Sequence, residues 1–328
     1  MSSDFLPSCS LEMLHQRAEL LRRLRRFFDA HGFIEVETPT LSRDSVIDEH
    51  LDPLRVTLFK DAREPDVGEV HYLQTSPEFG MKRLLAAGAA AVYQVTRAYR
   101  GGEVGPLHNP EFTMLEWYRA GDDYAAGRRL LSDLVSAAIG CEDAEQLTFR
   151  EAFQRHANID PFTADVPKLR SALATNGKEV ADEEQDRAVL LDRVLTELVE
   201  AKLGEERPTI LYDYPADQSA LAQVRPADSK GNPAVAERFE LYLSGVELAN
   251  GYHELLDPAV LLERNRANNQ KRVAAGKYTL PAESRLVAAM QHGLPACSGC
   301  ALGVDRLLMV ATGATTIQEV LAFPADRA

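Results

Sequence analysis

Two strand-like runs joined by a loop place the strongest limit on the folds open to this chain. Residues 91–99 and 112–120 have strand character, and the loop 100–110 separates them. Strand character returns at 209–214 and 237–252, whereas residues from about 122 to about 205 are mostly helical in pattern. Strands joined by loops, with the helices segregated, predict an α+β fold with an antiparallel sheet flanked by helices.

Composition and motifs exclude several classes. The 328 residues carry a net charge of −14, which argues against nonspecific nucleic-acid binding. Neither a Rossmann nor a P-loop glycine pattern is present. No apolar run is long enough for a membrane span, and residues 1–10 lack a basic region followed by an apolar run. We therefore expect no signal peptide and a reducing cytosol as the compartment. The C-x-x-C formed by Cys297 and Cys300 lacks the partners of a zinc site.

A carboxylate and a phenol share one face of the 112–120 strand. Because side chains alternate along a strand, Phe112, Met114, Glu116 and Tyr118 point the same way. A carboxylate among apolar neighbours needs a cation or hydrogen-bond donors. The segment therefore fits an ammonium-bearing ligand, although an arginine of this chain would also satisfy Glu116.

The segment 237–252 reads as a hairpin that turns at Ser244-Gly245. Leu243 then pairs with Val246, and Tyr242 pairs with Glu247. Glu240 and Glu247 fall on one face, where we expect them without a cationic partner and therefore suited to share Mg²⁺. A solvated acidic rim remains the alternative. Asn250, Tyr252 and Glu254 have the opposite parity, and a bulge at Gly251 would bring them to the same pocket.

The segment 299–306 combines small residues with an arginine. We expect its glycines to let a ligand approach the strand, and Arg306 to bind phosphate at the start of a helix. Arg100, in the loop 100–110, offers a second phosphate-binding guanidinium. Glycines that serve only packing would give the same pattern.

Together these segments resemble class II aminoacyl-tRNA synthetases of the lysine branch. Residues 27–39 are similar to motif 1, 95–118 to motif 2 and 299–306 to motif 3. The resemblance covers nearly the whole chain. It implies a single catalytic domain over 1–328 with a helical insertion at about 122–205. It also implies an ATP-dependent ligase that uses ATP and Mg²⁺, and a homodimer formed through motif 1.

The resemblance implies roles for individual residues. Arg100 would contact the α-phosphate and the substrate carboxylate, and Arg306 the γ-phosphate. The remaining assignments are Gly101, Gly102, Asn109, Glu247, Leu248 and Gly303 for ATP; Glu240 and Glu247 for Mg²⁺; and Ser76, Pro77, Glu78, Glu116, Tyr118, Asn250, Tyr252, Glu254 and Ala301 for the amino acid.

Three departures from the tRNA-charging pattern refine the expectation. The chain begins at the motif 1 helix, so we expect no anticodon-binding domain. Ala301 stands where those enzymes have glycine, and Glu103 is displaced by one position after Arg100, which leaves the Gly102 backbone to serve adenine.

The first two departures are shared with stand-alone bacterial paralogues of lysyl-tRNA synthetase. That likeness implies activation of (R)-β-lysine, or lysine, and its transfer to a lysine side chain of elongation factor P. Two alternatives stay open: a lysyl enzyme that charges tRNA, and a non-catalytic paralogue that senses amino acids.

Overall fold

The computed structural model describes residues 5–181 and 184–328, which form two compact units. The first unit is bounded as Met1–Asp123 and Glu254–Ala328, and the second as Tyr124–His253. The predicted α+β class with a mainly antiparallel sheet is confirmed. No helix among the described residues is long and apolar enough to cross a membrane.

The first unit begins with helix α1 (Leu11–Ala30). Ser10 precedes this helix and caps its first turn through its hydroxyl. Its helices and strands, in chain order, are β1 (Ile34–Glu35), β2 (Leu41–Ser42), β3 (Arg55–Phe59), β4 (Gly68–Leu73), α2 (Glu78–Ala86), β5 (Ala91–Tyr99) and β6 (Glu111–Ala120). After the second unit the chain returns to it with α7 (Pro258–Ala274), α8 (Arg285–Gly293), β12 (Cys297–Gly303) and α9 (Val304–Thr312).

The strands of the first unit form two sheets. Strand β1 runs parallel to β5, and β5, β6 and β12 follow as antiparallel neighbours. Strands β2, β4 and β3 make a separate small antiparallel sheet. The β5–β6 pair extends from Ala91↔Arg119 to Tyr99↔Glu111, as the two strand-like runs predict. It buries Tyr93 and Trp117 beside Phe28 of α1, and the rings of Phe28 and Tyr93 stack with centroids 4.5 Å apart.

The second unit combines helices with a mainly antiparallel sheet. Its elements are α3 (Tyr124–Ile139), β7 (Glu145–Thr148), α4 (Phe149–Ala157), α5 (Val166–Thr175), α6 (Arg187–Val194), β8 (Thr209–Pro215), β9 (Val224–Arg225), β10 (Val235–Leu243) and β11 (Val246–His253). Strand β10 pairs with β11, β8 and β9 in antiparallel fashion, and β7 runs parallel to β8. Aromatic and aliphatic side chains of α4 to α6 and β8 make its core.

Candidate active site

The carboxylate of Glu116 lies at the centre of a buried polar cluster in the first unit. Its side chain accepts hydrogen bonds from the Ser76 hydroxyl at 2.8 Å and from the Tyr118 hydroxyl at 2.6 Å. Strand alternation along β6 accounts for the second bond, because Glu116 and Tyr118 lie on one face. Burial, and then the negative charge of Glu78, raise the pKa of Glu116 to about 7.

Ser76 also shapes the entry into helix α2. Its hydroxyl accepts the N–H of Glu78 at 3.0 Å, so the helix begins at Glu78, and Pro77 occupies the capping position. Glu78 is thereby placed one helical turn before Lys82 on the same helix face, and the two side chains form an ion pair.

Lys82 is the cationic member of this cluster, and the sequence analysis missed it. It is 2% exposed and also forms an ion pair with Glu254, with Nζ and Oε2 2.5 Å apart. Although burial opposes it, Glu254 and Glu78 raise the pKa of Lys82. Burial, opposed mainly by Lys82, raises the pKa of Glu254 to about 8. Oε1 of Glu254 has no hydrogen-bond donor in the described part of the chain.

The cluster contains more acid than base. Among the described residues, three buried carboxylates, on Glu78, Glu116 and Glu254, share this region with the ammonium of Lys82. Burial raises the pKa values of Glu116 and Glu254, and the negative charge of Glu78 raises both further. A ligand with ammonium groups would supply the missing positive charge.

Two small residues of β12 face this cluster. In the β12–β6 register, Gly299 is opposite Tyr118 and Ala301 is opposite Glu116. A Cβ on Gly299 would lie 2.2 Å from Cε1 of Tyr118 and 2.5 Å from Oε1 of Glu254. The expectation that this glycine admits a ligand is therefore wrong, because side chains of the protein fill the space.

Arg100 lies at the start of the loop between β5 and β6. Its guanidinium is over the ring of Phe112, 5.1 Å from the centroid, and Nη1 is 3.9 Å from Oε1 of Glu103. Its buried Nε has no hydrogen-bond partner among the described residues. A buried donor of this kind costs free energy unless an acceptor reaches it.

Arg306 of α9 reaches the same loop. Its Nε donates to the Leu107 carbonyl at 3.3 Å, and Nη2 lies 2.6 Å from Nε2 of His108. Burial and the charges of Arg306 and Arg100, opposed by Glu103, lower the pKa of His108. Arg100 at the start of the loop and Arg306, which reaches the loop from α9, thus bring two guanidinium groups together there.

The other residues expected at the ATP site have backbone roles here. Gly101 donates its N–H to the Asp52 carbonyl at 2.7 Å, and Gly102 has a φ of +80°. Asn109 uses its amide on the backbone, donating to Glu111 at 2.6 Å and accepting the Ala325 N–H at 2.9 Å. Its side chain therefore holds the loop in place. Gly303 ends β12 and is the N-cap of α9.

In the second unit, Glu240 is buried and fully hydrogen-bonded. Its Oε2 accepts from the hydroxyls of Tyr214 and Tyr242, the second at 2.6 Å. Its Oε1 accepts from Arg238 and from Nδ2 of Asn250, the latter at 2.8 Å. The expectation that Glu240 lacks a cationic partner is therefore wrong, since Arg238 forms an ion pair with it from two positions earlier on the same strand face.

The β10–β11 hairpin contains the predicted turn and a bulge. Ser244 and Gly245 have φ values of +55° and +72°, and the pairs Leu243↔Val246 and Tyr242↔Glu247 form as predicted. The next pairs are Leu241↔Ala249 and Glu240↔Asn250, so Leu248 is the extra residue.

The bulge is thus at Leu248, and the expected position at Gly251, which pairs regularly with Phe239, is wrong. The bond from Asn250 to Glu240 keeps this register. The bulge brings Glu247, Asn250 and Tyr252 to the strand face that carries Glu240.

A further acid beside Glu240 had no sequence signal. Glu200 follows a π-helical turn, Leu195–Val199, and its Oε1 lies 3.0 Å from the hydroxyl oxygen of Tyr242, whose single proton Glu200 and Glu240 share. Burial, and then the charge of Glu240, raise the pKa of Glu200 to about 7. Only the fold brings it to the hairpin, because it comes from a helical segment distant in sequence.

The donor set limits how Mg²⁺ could be held. No group of three or more His, Cys, Asp or Glu side chains within 5–181 and 184–328 is arranged to hold a metal ion. Glu240 has two donors on each oxygen, so it coordinates a cation only if a donor such as the Asn250 amide leaves. Glu247, on the same strand face, fits a cation that phosphates also ligate.

Comparison with known proteins identifies the class to which this fold and these residues belong. Residues 4–327 match the family described as tRNA synthetases class II (D, K and N), and the chain belongs to that family.

Curated relatives narrow the likeness. The chain is 44% identical over 328 residues, all of it and 99% of the relative, to a Vibrio cholerae protein named elongation factor P–(R)-β-lysine ligase. Proteins of the same name from Salmonella arizonae and Salmonella paratyphi B are 45% and 46% identical over the same extent.

Proposed function

We propose that this protein is an ATP-dependent ligase that activates (R)-β-lysine as its adenylate and transfers it to a lysine side chain of elongation factor P. The observation that carries the proposal is the excess of buried carboxylate around Lys82, which suits a substrate with two ammonium groups. Full-length identity of about 45% to ligases of that name supports it. Since the acceptor is an elongation factor, we place the reaction in the cytoplasm.

The first half-reaction needs charge neutralisation and alignment. A carboxylate oxygen of the amino acid attacks the α-phosphorus of ATP, the bond to the β-phosphate oxygen breaks, and pyrophosphate leaves. The unpartnered Nε of Arg100 suits the α-phosphate, and Arg306 suits the γ-phosphate. We also assign Asn109, the bulge residue Leu248 and the backbones of Gly101, Gly102 and Gly303 to ATP. No acid or base side chain is required.

We assign the ammonium groups of the substrate to the buried acidic cluster around Lys82. Glu116 and Tyr118 receive the side-chain ammonium, and Ser76, Pro77 and Glu78 the backbone end. Glu254, Asn250 and Tyr252 complete the assignment. Ala301, opposite Glu116 in the sheet, narrows this pocket by one methyl.

Magnesium would neutralise the charge on the phosphates. We assign it to Glu247, with Glu240 joining after displacement of Asn250.

The second half-reaction forms an amide. The neutral ε-amine of the acceptor lysine attacks the acyl carbon of the adenylate, the carbon–oxygen bond to AMP breaks, and the nitrogen loses a proton. We also propose a homodimer through motif 1, which light scattering on a sizing column would test.

The test is mass spectrometry of elongation factor P after incubation with the protein, ATP, Mg²⁺ and (R)-β-lysine. We expect a mass gain of one lysyl residue and a modified lysine in the peptide map. Reactions without ATP, and with tRNA in place of elongation factor P, are the controls. Labelling of tRNA alone would establish the charging alternative, and no pyrophosphate exchange with any lysine isomer would favour a sensor.

A further inference from the structure

Residues 47–53 form neither helix nor strand in the described chain, yet their carbonyl groups are tightly bound. We call residues 47–53 the bridge segment. Helix α7 and the residues after it donate to this segment: Asn268 to Ile47 at 2.9 Å, Arg272 to Asp48 at 2.9 Å and Leu51 at 3.0 Å, Lys277 to Glu49 at 2.9 Å, and the Tyr278 hydroxyl to Pro53. This row of bonds holds an irregular segment in one conformation.

Charge strengthens this attachment at Asp52. Its carboxylate is 2.9 Å from Nη1 of Arg272 and 2.9 Å from Nζ of Lys277. Although burial opposes it, Lys277 and Arg272 lower the pKa of Asp52. Arg272 is fully buried, and a buried guanidinium is stable only when paired and hydrogen-bonded. The bridge segment supplies that partner.

The backbone of Asp52 contacts the loop that carries Arg100. Its carbonyl accepts the Gly101 N–H at 2.7 Å, and a Cβ on Gly101 would lie 3.2 Å from the same oxygen. On the other side, the Arg100 N–H donates to the Pro110 carbonyl at 2.8 Å. The peptide groups on both sides of Arg100 are therefore fixed, one of them by the bridge segment.

We infer that Arg272 and Lys277 are positioning residues for nucleotide binding, acting through Asp52 to set where the Arg100 guanidinium meets the triphosphate. The inference rests on the proposed function, because it takes Arg100 as the phosphate-binding arginine. Misplacing such a group by about 1 Å costs up to about 100-fold in rate, so a contact far from the chemistry controls it. Neither residue touches ATP in this scheme.

The test variant is Lys277→Met, which removes the bonds to Glu49 and Asp52 from a side chain that is 31% exposed. Lys271→Met is the matched control, since Lys271 lies near the end of α7, is 60% exposed and pairs with the side chain of Glu49 instead of with Asp52. We expect Lys277→Met to raise the KM for ATP in pyrophosphate exchange by about tenfold, with the KM for the amino acid unchanged. Lys271→Met should leave both constants unchanged.

A second variant separates charge from geometry. Arg272→Lys keeps a positive charge beside Asp52 but loses the guanidinium, whose Nη1 donates to two carbonyls of the bridge segment, so it should also raise the KM for ATP selectively. A KM for ATP that stays at the wild-type value in both variants would overturn the inference. Equal increases in both KM values would do so too, because they would indicate general loosening of the fold.

A binding measurement that needs no turnover distinguishes failure of this inference from failure of the proposed function. Calorimetric titration with a non-hydrolysable ATP analogue should show weaker binding in Lys277→Met than in Lys271→Met. If the wild type binds the analogue but catalyses no exchange, the proposed function fails while the titration still decides the inference. Equal affinities in the two variants reject the positioning role.

Discussion

Replacing Glu116 with glutamine should stabilise the protein while weakening its hold on the substrate. Burial and Glu78 raise the pKa of Glu116 from its ordinary 4.5 to about 7. Each pKa unit corresponds to about 1.4 kcal/mol, so ionised Glu116 lowers the free energy of unfolding by about 3 kcal/mol. Glutamine carries no charge, and its amide can still hydrogen-bond the hydroxyls of Ser76 and Tyr118, with a loss of about 1 kcal/mol.

The sign of this effect depends on pH. Below pH 4.5 the carboxyl is protonated in both folded and unfolded states, so its ionisation contributes nothing. As the pH rises from 4.5 to about 7, the unfolded chain releases its proton first and wild-type stability falls. The stability of Glu116→Gln relative to the wild type should therefore increase by about 3 kcal/mol between acid and neutral pH.

Urea denaturation of the ligand-free protein measures this difference. Trp117, the only tryptophan of the chain, is buried next to Glu116 and reports unfolding by its fluorescence. Glu111→Gln on the same strand is the control, because Glu111 is 51% exposed and exposed ion pairs contribute little to stability. A difference between Glu116→Gln and wild type that is the same at pH 5 and pH 8 would refute the reasoning.

The same variant should bind lysine analogues more weakly. Calorimetric titration at pH 8, where wild-type Glu116 is ionised, should show a loss of about 2 kcal/mol or more in binding free energy for Glu116→Gln. Glu111→Gln should bind as the wild type does. Unchanged affinity in Glu116→Gln would remove Glu116 from the substrate site.

Three further substitutions test other parts of the site. Gly299→Ala places a methyl 2.2 Å from the Tyr118 ring, so thermal denaturation should show a loss of about 1–3 kcal/mol; an unchanged melting temperature would contradict the packing argument. Ala301→Gly should shift the preference from β-lysine towards α-lysine by about 10-fold or more in pyrophosphate exchange; an unaltered preference would show that the methyl opposite Glu116 does not select the isomer. Asp305→Asn leaves Arg17 without its buried partner and should lower the free energy of unfolding in urea by about 3 kcal/mol. Asp61→Asn at the surface should leave the urea midpoint unchanged. Equal effects of the two substitutions would show that the buried pair contributes no more to stability than a surface pair.

Local patterns in the sequence were sufficient to predict the strands and which side chains share a strand face. Alternation along β6 placed Glu116 and Tyr118 together, and the dipeptide Ser244-Gly245 defined the hairpin turn and its first two pairs. Because Asn250 and Glu247 have opposite parity along β11, only a bulge could place both on one strand face. Its position at Leu248 could not be predicted, because it depends on which side chains bond across the hairpin, as Asn250 does to Glu240.

Charge pairing in the site depended on contacts between distant parts of the chain. Lys82 looks like an ordinary helical lysine in sequence, and only the fold buries it between Glu78 and Glu254. The same holds for Arg272 and the bridge segment. Side-chain periodicity and turn chemistry act over a few residues and can be read from sequence. Which charges share a buried site, and how far their pKa values move, is decided by tertiary packing, because burial and distance set the energy of a charge.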